Sequence, residues 1–151
     1  MASFAEHKAV LVRAKCTGVE CFNTPFKVYS GAGTQIPGSD RTMTGDEAVS
    51  DIYIRSGTGN FTDTLPSASS VISACADMKG EDAQVGDSWE LIVQRTGGPT
   101  VGDTMTFNAG TGVTILGRNR FRGFKASQCM WLITQITPTP SVSFYTLHNN
   151  L

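Results

Sequence analysis

No apolar run in this chain lasts longer than five residues. The longest are AVLV at 9–12 and CMWLI at 129–133, and turn-forming Gly, Pro, Asn, Ser or Thr recur throughout the chain between such runs. Segments this short, recurring every 8–12 residues between glycine-containing turns, predict an all-β sandwich or barrel. The composition agrees. Of 151 residues, 16 are Gly, 18 Thr and 13 Ser, and only 17% are charged, against ~25% in an average soluble domain. A helical bundle or coiled coil would instead be rich in Ala, Glu, Lys, Leu and Arg. The length suits one domain, or one domain with an added arm, and it can bury a real core without disulfides or metals.

Expected strands fall at 8–15, 26–30, 48–55, 88–95, 104–108, 113–116, 118–125, 127–136 and 141–147. In 48–55, Val49, Asp51, Tyr53 and Arg55 alternate with Ser50, Ile52 and Ile54, which gives a half-buried strand with a mixed face. In 88–95, Trp89, Leu91 and Val93 share one face, opposite Ser88, Glu90, Ile92 and Gln94. One helix is predicted over 64–80. Pro66 suits its first turn, Gly80 suits the position just past its end, and Val71, Ile72, Cys75 and Met78 make its apolar face. The expected architecture is an antiparallel sandwich or jelly-roll-like barrel with this helix plugging one end. The GT-containing turns at 33–34, 57–58 and 110–111 are irregularly spaced and give no repeat.

Several function classes lose support here. A net charge of −1 lacks the basic field of a nonspecific nucleic-acid binder. No stretch approaches the ~18 apolar residues of a membrane helix. Glu6, His7 and Lys8 break the first apolar run, so the N-terminus reads poorly as a secretion signal and a reducing cytosol is the default. Of the four cysteines only Cys16 and Cys21 are close, and Cys75 and Cys129 stand apart from any His. They read as thiols and not as zinc ligands. No nucleophile elbow, phosphate-binding loop or calcium loop is present. The carboxylates Asp46/Glu47 and Glu81/Asp82, with Asp51 and Asp87 near them in sequence, read as turn residues. No enzyme, cofactor or metal is expected.

The sharpest local feature is RNRFRGFK at 118–125. On a strand, Arg118, Arg120 and Arg122 share a face and Phe121 takes the other. With Lys125 they form the candidate contact site. Two uses are open. The strand tracks phosphates, with Phe121 or Phe124 stacking on bases, or it is an edge strand whose arginines deter aggregation or pair with a neighbour's acids. The acid-balanced remainder of the chain favours the second.

From residue 64 onward the order of motifs is distinctive: TLPSASSVISA, then VGDSWELIVQRTGG, then TFNAGTGVTILG, then QCMWLITQITPTPSVSFYTL. This series resembles a β-rich module of virion proteins, found in capsid-associated proteins of large double-stranded DNA viruses and in head or fibre proteins of tailed phages. In that module a TLP-type segment leads a short helix, a VGDS-type turn opens an alternating strand, and an AGTGVT-type hairpin follows. The last strand carries an aromatic pair, here Phe144 and Tyr145. The likeness covers about 64–147. RNRFRGFK departs from it, because that stretch is usually small and polar. The resemblance implies a division at residue 60, with 1–60 an added β segment or arm and 61–151 the virion-type module. It also implies a non-enzymatic structural protein, a trimer that associates with itself and with other virion proteins. Such a protein is made in the host cytoplasm and carried in the virion. The competing readings are a sandwich that binds a host glycan or protein through exposed Trp89, Tyr53 or Trp131, and a nucleic-acid-packaging accessory using 118–125.

Overall fold

The computed structural model describes residues 36–37, 39–96, 102–122 and 126–148. The strands expected at 8–15 and 26–30 lie outside them, as do Cys16, Cys21, Phe124 and Lys125. The chain is β-rich, and its strands form two mixed sheets facing each other. The larger has six strands in the order β1 (Ile36–Pro37), β3 (Ile52–Ser56), β5 (Ser88–Thr96), β9 (Ser127–Gln135), β10 (Ser141–His148), β7 (Val113–Leu116). The smaller has four: β2 (Arg41–Thr42), β4 (Phe61–Thr64), β6 (Thr104–Asn108) and β8 (Arg120–Arg122).

Neither sheet is antiparallel throughout, and they do not close into a barrel. Up to β9, consecutive strands alternate between the sheets, and as far as β6 each strand returns to its own sheet running in the direction of the one before. Parallel pairs follow: β1 with β3 with β5 on one side, and β2 with β4 with β6 on the other. Parallel neighbours need a long crossover, and here the crossover is a strand of the opposite sheet. The AGTG turn illustrates the consequence. It does not make a hairpin, because β6 lies in the small sheet while β7 pairs in parallel with β10 in the large one. Only β9 in the large sheet and β8 in the small one run antiparallel to their neighbours.

Two helices fill the crossovers, where one was expected. α1 (Gly45–Ala48) opens on a capping box in which Thr44 and Glu47 bond each other's backbone N–H. This turn takes Ala48 into a helix, so the expected strand at 48–55 starts only at Ile52. α2 (Ala68–Lys79) is capped by the Ser67 hydroxyl and stopped by Gly80 in the left-handed region, φ 71°. Pro66 therefore precedes the cap instead of entering the first turn. Val71 and Cys75 of the expected face are buried with Ala68 and Ala74, while Ile72 and Met78 are partly buried against the same core.

An aromatic layer joins the sheets. Trp89, Trp131 and Phe144 are cross-strand neighbours on β5, β9 and β10. Ring centroids are 6.4 Å apart for the tryptophan pair and 4.5 Å for Trp131–Phe144. Phe107 of the small sheet meets Phe144 edge-on at 5.6 Å and Phe121 at 5.3 Å. These contacts place Phe107 and Phe121 opposite the large sheet's aromatic row.

Candidate functional site

The densest polar chemistry lies between the sheets, where the alternation of β3, β4 and β5 turns charged side chains inward. Tyr53 and Arg55 take the inner positions of β3, and Phe61 and Asp63 those of β4. Asp63 and Arg55 are fully buried. The Asp63 carboxylate accepts from Tyr53 Oη at 2.7 Å, Arg55 Nε at 2.8 Å and Arg55 Nη2 at 2.9 Å. Arg55 also donates to the Ser39 carbonyl. Arg95 is the register partner of Arg55 on β5. Its Nη2 donates to the carbonyls of Gly57 and Gly59 and lies 3.8 Å from Asp103. Both guanidinium carbons sit over the Phe61 ring, 4.7 and 4.6 Å from its centre.

Burial dominates the electrostatics of this cluster. It pushes the Asp63 carboxyl up, against the pull of the Tyr53 and Arg55 hydrogen bonds. It raises the Tyr53 hydroxyl, helped by the Asp63 bond and charge. It lowers Arg95, with the like charge of Arg55 adding to the effect and Asp103 opposing it. No part of the Arg55–Asp63 pair reaches solvent, and its bonds tie β4 to β3 across the two sheets.

The arginines predicted as a contact site lie at the opposite edge of the small sheet. Arg120 and Arg122 are exposed on β8, while Arg118 is exposed in the 117–119 corner that leads into it. The strand is shorter than 118–125 and begins two residues later, because Asn119 turns the corner. Its backbone C=O accepts from the Phe107 N–H at 2.7 Å, and its side chain donates to the Phe107 carbonyl at 3.1 Å. Phe121 alternates inward as expected and is buried against Phe107, which removes it from base stacking. Phe124 and Lys125 fall outside the described residues.

Comparison with family models, with curated proteins and with solved structures finds no match. The geometry alone must therefore sort the remaining candidates. Trp89, Tyr53 and Trp131 are all buried, so the glycan-binding reading loses the exposed aromatics on which it depended. Trp89 spends its indole N–H on the Ala48 carbonyl at 2.9 Å. Glu47 holds Arg41 through two bonds of 2.8 and 3.0 Å. Asp87 meets Lys79 at 2.5 Å in a nearly buried pair that ties the end of α2 to the turn before β5. Asp46 and Asp77 line an open groove of about 390 Å³ between α1 and α2, together with Thr44, Ser69, Ser70 and Ser73. Among the described residues no three His, Cys, Asp or Glu side chains cluster as metal ligands. No helix there is long and apolar enough to cross a membrane.

Cys75 and Cys129 are free and fully buried, as small core residues. Burial pushes their thiols up, to about 11 and about 12. An unfolded thiol ionises near ~8.5. Above that pH the unfolded chain releases protons that the folded chain keeps, so stability falls as pH rises toward the folded values. The expected slope is about 1 kcal/mol per pH unit per thiol. Urea titrations from pH 8 to 10.5 should show it, and Cys75→Ala with Cys129→Ala should flatten it. A slope unchanged by the two substitutions would place its origin elsewhere.

Proposed function

We propose that this protein is a non-enzymatic structural component of a virus particle, a capsid- or virion-associated homo-oligomer of three copies. In this reading it is made in the host cytoplasm and carried in the virion, bound to its own copies and to other virion proteins. The observation that carries the reading is the shared open side of the two sheets. β7 ends the large sheet and β8 ends the small one, and only residues 117–119 separate them. Neither has a further strand partner among the described residues. Leu116 on β7 is 40% exposed and Leu147 on β10 is 47% exposed, and both lie at this side. Open edges beside exposed leucines are a liability in a free monomer, and closing them between identical copies removes it. The resemblance to virion modules supplies the particle. Its TLPSASSVISA segment leads into α2, its VGDS turn opens β5, and its aromatic pair lies on β10.

Two measurements test this. Light scattering should give three times 16.1 kDa, and a monomer mass at micromolar concentration overturns the oligomer. A mass-spectrometric inventory of purified particles should contain the chain, and its absence overturns the virion role.

Nucleic-acid packaging is the second reading, favoured by the exposure of Arg118, Arg120 and Arg122 together. Three arginines supply about three phosphate contacts per copy, each worth a slope of about −0.9 in log affinity against log salt on duplex DNA. We expect the parent chain to show no such salt-dependent retention, and replacement of all three by Gln to weaken assembly. Salt-sensitive binding lost in the substituted chain, with oligomer size unchanged, would decide for packaging.

A further inference from the structure

The outward face of the four-stranded sheet carries hydroxyls and two positive charges. Phe61, Met105, Phe107 and Phe121 turn inward and are buried, so the four strands direct no aromatic side chain outward. The outward positions form cross-strand rows. Thr42 pairs with Thr64, and Thr64 with Asn108. Thr62 pairs with Thr106, and Thr106 with Arg120, while Thr104 pairs with Arg122. The Thr104 hydroxyl donates to the Asn60 side-chain carbonyl at 3.0 Å. The other side chains of these rows are exposed or half-buried and bond no described residue. Arg120 and Arg122 are the only charged residues that the strands place on this face. Arg41 shares the inward register of Asp63 and is held by Glu47, and Asp40, just before β2, accepts from the Thr62 N–H at 2.7 Å.

We infer that this face binds an acidic glycan, with Arg120 and Arg122 on its sulfate or carboxylate groups and the threonine hydroxyls on its ring hydroxyls. Two guanidinium groups with no carboxylate on their face call for an anionic partner, and their planar forks match oxyanions. These donors do not converge on a cavity. The row from Thr62 to Arg120 crosses three strands, about 10 Å at ~4.8 Å per strand, and the next row lies ~6.6 Å along them. A flat array of this kind fits an extended polymer, and its strand spacing is close to the length of one pyranose unit. Nucleic-acid bases and the apolar faces of neutral sugars both want aromatic platforms, which the face lacks. An acidic glycan is held instead through its anions and hydroxyls. This use is compatible with assembly at β8. Edge pairing engages backbone groups in the plane of the sheet, while these side chains stand perpendicular to it. Arg118, in the 117–119 corner, lies outside the paired rows. An oligomer sets several such faces on one glycan chain, which strengthens a weak single contact.

The test titrates the full chain, at low salt, with heparin oligosaccharides, with polysialic acid oligosaccharides and with an oligothymidylate of matched charge. At least one glycan should bind more tightly than the oligothymidylate, and which one binds tells whether sulfate or carboxylate is the anion read. The variant R120Q/R122Q should weaken glycan binding about ten-fold or more. The variant T62V/T106V keeps the charge and the side-chain shape and removes two hydroxyls, and it should weaken binding about three-fold or more. Arg118→Gln, off the face, should leave glycan binding unchanged. Failure of both glycans to bind overturns the inference. Equal or tighter binding of the oligothymidylate also overturns it and assigns the face to nucleic acid. Glycan binding retained by R120Q/R122Q places the site elsewhere, and binding unaltered in T62V/T106V reduces it to charge alone; either result overturns the site as drawn.

Discussion

Replacing Asp63 by Ala should cost about 3–5 kcal/mol of folding stability. The side chain is fully buried and takes three donors: the Tyr53 hydroxyl and two guanidinium nitrogens of Arg55. Its removal takes the counter-charge away from Arg55 in a site that water does not reach, where losing one is most costly. Tyr53 also loses the acceptor of its hydroxyl. The intact pair need not be a large net gain, since burying both ions also costs desolvation. A joint replacement separates these two effects. Arg55→Met with Asp63→Leu should recover most of the loss while giving up the directional bonds that set β4 against β3. Urea unfolding of the three chains measures both quantities. A loss below about 1 kcal/mol in Asp63→Ala would mean that solvent reaches the pair and the lock is not closed. If Asp63→Ala does not fold, Asp63→Asn keeps the shape and retains the comparison.

The sequence shows Tyr53 and Arg55 on one face of a strand, opposite Ile52 and Ile54, but it misleads about which face is inside. Ordinary hydropathy turns the isoleucines inward. The structure buries the arginine and leaves both isoleucines half-buried on the outer side. The missing information was the partner: Asp63 lies on β4, in the other sheet, and nothing local marks it as an ion-pair acceptor. Elsewhere local signals sufficed. The alternation of β5 places Trp89, Leu91 and Val93 in the core as read, and Gly80 stops α2 where expected. The Thr44–Glu47 capping box is an equally local signal, and the helix it opens is why β3 starts only at Ile52.

The topology was hidden for a different reason. Short strands with glycine turns between them describe hairpins and sheet-to-sheet crossings equally well, because both need only a few turn residues. The first four strands of the large sheet begin at residues 36, 52, 88 and 113. Each successive passage through the two sheets thus has its own length, the first two carrying α1 and α2, and no period survives in the sequence. The predicted contact site fared likewise. Alternation correctly separated Phe121 from Arg120 and Arg122, but the strand begins only at Arg120, because Asn119 bonds the backbone of Phe107 on another strand and no local signal marks that partner.

Gly110 is where that crossing topology should prove least tolerant. The turn at 109–112 passes over the entry to α2 and is zipped to it by backbone bonds. Leu65 N–H donates to the Asn108 carbonyl, and Ala68 N–H donates to the Thr111 carbonyl, each at 2.8 Å. A Cβ on Gly110 would land inside contact distance of the carbonyl oxygens of both Leu65 and Pro66. Those atoms are backbone, held by the same bonds, so no side chain can swing aside to make room. Gly110→Ala should therefore destabilise by about 3 kcal/mol, in a chain whose total stability is on the order of 10 kcal/mol. Gly59→Ala is the matched comparison. Gly59 has φ +83° and nothing within 4 Å of an added Cβ, so its cost is conformational alone, about 1 kcal/mol. The same substitution thus separates a glycine kept for close approach from one kept for its backbone angle. Denaturation midpoints that rank Gly59→Ala as the more damaging change would mean that the 109–112 turn does not lie against α2.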